Sequence, residues 1–470
     1  MTADGGAGRG DVAASPSALP PPLPLRSSLD DIAWPALTAG NGPLLLSLDF
    51  QLRRSQWWST DAIAGHQMRQ LRELVGHAVR HVPFYRDHMR RAAIFTVAGV
   101  QQTSFLRWPL LARGAVRAAA DALQARWLPP EHGRIDWQST TGSTGMPVRV
   151  ASTLLDGLIR EAPMLRAFGW YGIDARGKFA TIRPKVGRLT HATWNPVYEG
   201  MLDTGPLVTL NIAEDIDAQL DWLCEEEPDY LLSLGSNLRS LILRSRDTGR
   251  RPARLKVLLS YADQPPADLA ALAAATWGAA VHDLYSAAEF GPLAFQCPEH
   301  GNLHVQSENV LVEILDEAGA PCPPGTPGRV VVTGLHNFAM PLIRYELGDY
   351  ASFGPACACG RGLPVIASIN GRSRNMAVDP TGRRFWPMIN PSVWLSTPIE
   401  QRQLVQHAPG EIEIRYVAPR ELIASEEAQV IEVLSRNFRH DYTFRFTRVE
   451  RLERSAGGKF EEFVCLVAPT

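Results

Sequence analysis

An α/β fold, with mixed and parallel sheets in a large N-terminal domain and a small α/β C-terminal domain, is the architecture that the sequence predicts. Its main support is a β run over 255–261, an Ala/Leu-rich helical run over 268–276 and a second β run over 279–285. Strand, helix and strand in so short a stretch form a βαβ unit with parallel strands and a right-handed crossover. Ligands bind at the carboxyl ends of such strands, so residues 261–264 and 285–289 are expected on one functional edge.

Periodicity and turn residues predict the other elements in order. Apolar residues spaced three and four positions apart predict helices over 61–92, 154–168 and 426–437. Pro83 is expected to break the first of these helices, because proline lacks the N–H that the helix needs. Two β runs, 310–315 and 328–333, are joined by a Gly/Pro-rich connection and predict a hairpin.

The composition of the chain limits the classes of partner that it is expected to bind and indicates how its domains are arranged. The chain has 470 residues, with 47 basic against 49 acidic side chains, so no net field favours nucleic acid or a membrane surface as partner. Six cysteines in such a chain do not form a disulfide framework, and a cytoplasmic protein is expected. Residues 1–25 are rich in Gly, Ala, Ser and Pro and predict a disordered tail. Residues 26–371 and 372–470 are expected to form the large and the small domain.

A loop of hydroxyl and glycine residues lies between Trp137 and Val148. Its members are Ser139, Thr140, Thr141, Gly142, Ser143, Thr144 and Gly145. Glycines let backbone N–H groups turn toward a ligand, and hydroxyls add donors for phosphate oxygens. The loop is not a Walker A motif, because Met146 stands where that motif has lysine. Taken alone, it is equally well a surface turn.

Three further motifs follow this loop: Tyr285-Ser286-Ala287-Ala288-Glu289, Arg344-Tyr345-Glu346-Leu347-Gly348-Asp349 and Gly457-Gly458-Lys459. In this order and rough spacing, the four motifs resemble those of the adenylate-forming acyl ligases. Within this superfamily, the sequence resembles most the phenylacetate–CoA ligase branch. The segments that carry this similarity include His81-Val82-Pro83-Phe84-Tyr85, Met340-Pro341-Leu342-Ile343-Arg344-Tyr345 and Gly458-Lys459-Phe460. The resemblance runs from about residue 65 to the end of the chain. It implies a large AMP-binding domain followed by a small mobile lid domain.

The resemblance implies a two-step reaction and a role for each motif. The carboxylate of an aromatic or apolar acid attacks the α-phosphorus of ATP and releases pyrophosphate. The acyl group then passes from AMP to the thiol of coenzyme A. The loop 139–145 would hold the phosphates of ATP, Glu289 would bind Mg²⁺, and Lys459 would lie between the acid and the α-phosphate. The residues implied around adenine, ribose and phosphate are Ala262, Asp263, Asp283, Tyr285, Ser286, Asp349 and Arg372.

Several departures from the family pattern keep alternatives open. Met146 replaces the usual lysine of the phosphate loop, and Ser286, Ala287 and Ala288 replace a glycine and a hydroxyl residue. An amine or a carrier-protein thiol remains an alternative acyl acceptor, and a non-catalytic nucleotide-binding protein is the alternative from another class. A homodimer is compatible with the sequence.

A second constellation has the chemistry of a metal site. Cys297, His304, Cys357 and Cys359 are four thiol and imidazole ligands, a set that suits tetrahedral Zn²⁺ with no open position. Some members of the resembled branch carry this set, and His300 is an alternative ligand. His77, His81 and His88 have no Cys or carboxylate at ligand spacing, so they are expected to be partly exposed helix residues.

Overall fold

The structure is a computed structural model of the chain. It describes residues 23–91, 105–139, 148–372, 376–385, 387, 394, 397–438, 442–452 and 462–467, with the backbone alone at 88–91, 372 and 437.

One large sheet organises the chain as far as Arg372. Twelve strands form it, in the order β11-β12-β13-β14-β10-β9-β8-β7-β6-β3-β5-β4. Their bounds are Phe179–Arg183 (β3), Leu189–His191 (β4), Leu207–Asn211 (β5), Tyr230–Ser233 (β6), Val257–Tyr261 (β7), Ala280–Ala287 (β8), Gly291–Gln296 (β9), Leu303–Val305 (β10), Val310–Leu315 (β11), Gly328–Gly334 (β12), Tyr345–Phe353 (β13) and Val365–Arg372 (β14). Strands β5, β3, β6, β7 and β8 run parallel, and every other pairing in this sheet is antiparallel.

Helices cover both faces of the parallel strands. The α-helices assigned before Arg372 are Gly42–Ser55, Thr60–His81, Pro83–Arg91, Arg113–Ala118, Ala120–Leu123, Leu154–Trp170, Ile216–Glu226, Gly235–Thr248 and Leu269–Trp277. On β7, Leu258 belongs to a core shared with Leu238 and Trp277, whereas Leu259 belongs to a core shared with Leu165. Neighbouring side chains of one strand are thus buried on opposite faces, as expected of a parallel sheet between two helical layers.

Smaller sheets complete the structure. Strands Ile135–Ser139 (β1) and Arg149–Thr153 (β2) pair in antiparallel fashion and bracket the hydroxyl and glycine loop. After Arg372 come a short pair, Ala377–Val378 (β15) and Arg384–Phe385 (β16), and a four-stranded sheet in the order β19-β18-β17-β20. The strands of that sheet are Gln401–Ala408 (β17), Glu411–Val417 (β18), Thr443–Arg448 (β19) and Phe463–Cys465 (β20), with the helix Ala424–Phe438 between β18 and β19.

Most of the elements predicted from the sequence are present. The βαβ unit is confirmed, since β7 and β8 are parallel neighbours joined through Leu269–Trp277. The hairpin of β11 and β12 is confirmed, and the first helix ends at His81, before Pro83. The expectation for His77 was wrong: its side chain is buried, and its Nε2 lies 3.0 Å from the Phe338 carbonyl oxygen.

The division of the chain at residues 371 and 372 stays a prediction, although β14 ends there. Most of the tail, residues 1–22, lies outside the described residues. Its end is described, and there Leu25 forms an isolated β-bridge with Leu202.

Candidate active site

Two residues predicted to hold the nucleotide meet at the end of β8. The Tyr285 hydroxyl donates a hydrogen bond of 2.8 Å to Asp349 Oδ2. Tyr285 is buried, and Asp349 on β13 is partly exposed. An aromatic face beside an ionised carboxylate suits a nucleoside, because the ring stacks on a base and the carboxylate accepts hydrogen bonds from ribose hydroxyls.

Glu289 lies four residues beyond Tyr285 and is buried. Its Oε1 accepts hydrogen bonds from Arg113 Nη1 and from the Tyr345 hydroxyl, both at 3.2 Å. Burial, and secondly the Glu289 charge, raises the pKa of Tyr345, so its hydroxyl stays protonated as a donor. The carboxylate is the type of ligand that Mg²⁺ uses together with substrate phosphates, so Glu289 fits its predicted role. Neither Arg113 nor Tyr345 is assigned a role from the sequence, although Tyr345 lies within the motif that ends at Asp349.

Asp283 lies on the same strand as Tyr285 and is held from two sides. Its Oδ1 accepts a hydrogen bond of 2.5 Å from Ser260 Oγ, and its backbone N–H donates to Gln296 Oε1. Burial raises the pKa of the Asp283 carboxyl to about 6, against the smaller lowering effect of the Ser260 hydrogen bond. The Asp283 carboxyl is therefore mostly ionised at pH 7 and gains a proton at mildly acidic pH.

The loop after β7 also carries two predicted nucleotide contacts. Ala262 has a φ of 67°, in the left-handed region that non-glycine residues rarely adopt, and such strain concentrates at functional sites. Asp263 Oδ1 and Oδ2 accept hydrogen bonds from the backbone N–H groups of Gly235 and Ser236. Asp263 therefore caps the helix Gly235–Thr248, and nucleotide binding by its side chain stays a prediction.

Other predicted site residues are exposed or fall outside the description. Ser139 ends β1 and Ser286 lies on β8, and both are exposed. Arg372 on β14 is the register partner of Asp349 on β13, so the backbones of the two residues are adjacent. The side chain of Arg372 lies outside the described part of the structure. The remaining members of the predicted site lie outside the described residues: Thr140, Thr141, Gly142, Ser143, Thr144, Gly145 and Lys459.

The four predicted zinc ligands are brought together by β9, β10 and the β13–β14 connection. The ligand atoms of Cys297, His304, Cys357 and Cys359 all lie within 4.8 Å of one another. Two thiolates about 2.3 Å from a tetrahedral zinc ion have Sγ atoms roughly 3.8 Å apart. The Cys297 and Cys357 Sγ atoms are 3.9 Å apart. The residues therefore fit a closed structural zinc site.

The surroundings of this cluster affect the orientation of the His304 ring and the pKa values of the ligands. Leu363 O lies 3.4 Å from His304 Nδ1, whereas Nε2 faces Cys359 Sγ at 3.3 Å. Burial lowers the pKa of His304 to about 4, so its imidazole is neutral at pH 7. Burial raises the pKa of Cys297 to about 11, so binding a metal must release the proton of that thiol.

Arg361 is the cation beside these thiols. Its Nη1 lies 3.9 Å from Cys297 Sγ and 3.2 Å from Glu299 Oε1. Its guanidinium stacks on the rings of Trp57 and Trp170, at 4.9 and 4.6 Å from their centroids. Three thiolates and one imidazole around Zn²⁺ carry one net negative charge, and a guanidinium held this close offsets it.

Solved structures identify the class to which this fold belongs. A 2-hydroxyisobutyryl-CoA ligase in its postadenylation state, in complex with an acyl-AMP, aligns with a TM-score of 0.71 and 17% identity, over 88% of this chain and 91% of that chain. An anthranilate CoA ligase in complex with anthranoyl-AMP aligns with a TM-score of 0.54 and 14% identity, over 69% of this chain and 64% of that chain. The fold is that of the adenylate-forming ligases.

Sequence comparison with curated proteins points to one branch of that class. The chain is 25% identical to a phenylacetate-coenzyme A ligase of Aromatoleum evansii over 326 residues, which cover 68% of this chain and 72% of the relative. A phenylacetate-coenzyme A ligase of Thermus thermophilus is 24% identical over 378 residues, which cover 74% of this chain and 79% of the relative. No model of a known protein family matches the chain. The resemblance to the phenylacetate–CoA ligase-like branch is confirmed.

Within the described ranges, no helix is long and apolar enough to span a membrane. A cytoplasmic location, a homodimer and a carrier-protein partner stay predictions.

Proposed function

We propose that this protein is an ATP-dependent, AMP-forming acid–thiol ligase. It activates a small carboxylic acid as an acyl-adenylate and transfers the acyl group to coenzyme A. The observation that carries the proposal is the pair of hydrogen bonds from Tyr285 to Asp349 and from Tyr345 to Glu289, which join the β8–β9 hairpin to β13 in a chain with the fold of adenylate-forming ligases. The phenylacetate-coenzyme A ligases among its relatives favour an aromatic or other apolar acid.

Each site residue has a role in the first step. Tyr285 and Asp349 hold adenine and ribose, which fixes the α-phosphate against the incoming carboxylate and lowers the entropic part of the barrier. Bound Mg²⁺ supplies charge neutralisation at the phosphate oxygens, and Glu289 is the carboxylate that would hold it. Lys459 neutralises charge between the acid and the α-phosphate, and the loop 139–145 and Arg372 contact phosphate or ribose.

Structural zinc is proposed for the cluster of Cys297, His304, Cys357 and Cys359. With four protein ligands it has no position for substrate, so it stabilises the β9–β10 and β13–β14 connections and takes no part in the reaction.

The acyl acceptor is tested by supplying the purified protein with ATP, Mg²⁺ and an acid that it activates. Coenzyme A, a panel of amines and a phosphopantetheinylated carrier protein are offered separately, and AMP release and acyl product mass are followed. The proposal expects an acyl-CoA and AMP in equal amounts. Acyl transfer to the amine or carrier protein alone would assign the chain to that other acceptor class, whereas ATP binding without any acid activation would indicate a non-catalytic protein.

A further inference from the structure

Arg113 enters the candidate site from a part of the chain that carries none of the four motifs. Leu111 forms a parallel bridge with Tyr345, in which Leu111 N donates to Arg344 O at 2.8 Å and Glu346 N donates to Leu111 O at 3.0 Å. The segment before Arg113 is thus attached to the start of β13 by a single β-bridge.

Arg344 fixes this segment further. Its Nη1 donates hydrogen bonds to the carbonyl oxygens of Leu106 and Trp108, and its guanidinium pairs with Glu313 at 2.9 Å. The Arg344 side chain is almost fully buried, so these contacts are shielded from water and strong. The backbone that carries Arg113 therefore has a defined position relative to Glu289.

The Arg113 side chain is more exposed to solvent than the Glu289 carboxylate that it contacts. The Arg113 side chain is 25% exposed and that of Glu289 is 5% exposed, with 3.2 Å between Nη1 and Oε1. The guanidinium is therefore the more accessible of the two charged groups, and it lies within hydrogen-bond distance of the carboxylate that is predicted to hold Mg²⁺. A guanidinium presents five N–H donors in a planar fork that matches phosphate oxygens, so contact with Glu289 is compatible with contact to a phosphate.

We propose that Arg113 binds the β- and γ-phosphates of ATP and supplies the cation that Met146 does not provide in the phosphate loop. The inference rests on the proposed function, because it requires ATP to bind beside Glu289. AMP has neither of the phosphates that Arg113 contacts. Loss of the guanidinium therefore weakens binding of ATP and leaves binding of AMP nearly unchanged. A residue that acted only by holding Glu289 for Mg²⁺ would weaken ATP binding in the presence of Mg²⁺ but not in its absence.

The test measures dissociation constants for ATP and AMP with Mg²⁺, and for ATP also with EDTA in place of Mg²⁺, by calorimetry on the full chain. A charge-assisted hydrogen bond contributes roughly 1.5–3 kcal/mol. Arg113→Met is accordingly expected to raise the dissociation constant of ATP about tenfold or more and that of AMP less than about twofold. Arg117→Met is the matched control, because Arg117 is exposed on the same short helix, and it should change neither constant. Should Arg113→Met fail to fold, Arg113→Gln keeps donors toward Glu289 without charge and carries the same prediction.

Two results would overturn the proposal in distinguishable ways. If the unaltered protein binds ATP and the Arg113 variants bind ATP equally well, lose ATP and AMP in parallel, or lose ATP affinity only when Mg²⁺ is present, the role of Arg113 is refuted and the proposed function stands. If the unaltered protein binds neither nucleotide, the proposed function and the role of Arg113 fail together.

Discussion

Tyr285 and Asp349 are hydrogen-bonded at 2.8 Å although β9, β10 and β14 lie between their strands in the sheet. Flat neighbouring strands lie about 4.8 Å apart, so four such steps would place the two side chains far from each other. The sheet must therefore curl, and the irregular register between β13 and β14 at Tyr350 and Ala351 is one place where it does so. This curl creates the candidate nucleotide site.

Removal of the Tyr285–Asp349 hydrogen bond is expected to weaken ATP binding in a coupled manner. Tyr285→Phe keeps the ring and removes only the donor, so ATP affinity should fall by less than about tenfold. Asp349→Ala also removes the acceptor for ribose hydroxyls and should cost about 100-fold. In an Asp349→Ala background, where the acceptor is already absent, the Tyr285→Phe substitution should have a smaller effect, and calorimetry of the four proteins measures the coupling. Fully additive effects would mean that the hydrogen bond does not position Asp349.

Lys459→Ala is expected to lower acid-dependent exchange of pyrophosphate into ATP by about 100-fold or more, since it removes a cation at the developing charge. Binding of AMP should change little. Lys256→Ala is the control, because Lys256 is exposed and pairs with Asp229. Unchanged exchange in Lys459→Ala would remove the residue from the first step.

Zinc is expected at about one equivalent in the purified protein, measured by elemental analysis. Cys357→Ser and His304→Ala should lose it, whereas Cys322→Ser, outside the cluster, should retain it. Arg361→Met should retain zinc under dialysis but release it faster to a chelator, because the charge of the three thiolates is no longer offset. Zinc-free wild-type protein with intact folding would contradict the zinc assignment.

Asp283 is expected to make the free energy of unfolding depend on pH between about 4 and about 6. Its folded-state pKa, about 6, is raised from the value of 3.8 by burial. The folded protein therefore binds this proton more tightly than the unfolded chain does, and the free energy of unfolding falls as pH rises from about 4 to about 6, by on the order of 2 kcal/mol. Asp283→Asn removes the effect, so its stability advantage over the wild type should be larger at pH 7 than at pH 4.5. Thermal unfolding of both proteins across this range measures the difference. An advantage that is constant, or larger at low pH, would contradict the raised pKa.

Sequence patterns identified the elements better than the contacts between them. The βαβ unit was predictable because alternating apolar strands around an Ala/Leu-rich helix leave little choice of topology. Tyr285, Asp349 and the four zinc ligands were predictable because each lies in a motif with a recognisable chemistry. For Tyr285 and Asp349, the resemblance to the adenylate-forming ligases indicated nucleotide binding, whereas the thiol and imidazole groups indicated a metal by their chemistry. These roles stay predictions.

The roles of Arg113 and Arg361 could not be predicted from the sequence, because both depend on contacts between segments that are far apart in the chain. Arg113 lies 176 residues from Glu289 in the chain, and only the folding of its segment against β13 brings the two charges together. Arg361 depends likewise on packing between Trp57 and Trp170, which belong to two different helical regions. The capping role of Asp263 on Gly235–Thr248 was hidden too, because local sequence does not reveal a cap supplied from another loop.

Exchange of labelled pyrophosphate into ATP, run across aryl, arylacetic and fatty acids, tests the central claim most directly. At least one acid, aromatic or apolar, is expected to drive exchange in the presence of Mg²⁺, and Glu289→Gln is expected to reduce that exchange sharply. Protein that binds MgATP yet shows no exchange with any acid in the panel would contradict the claim that this site activates carboxylic acids.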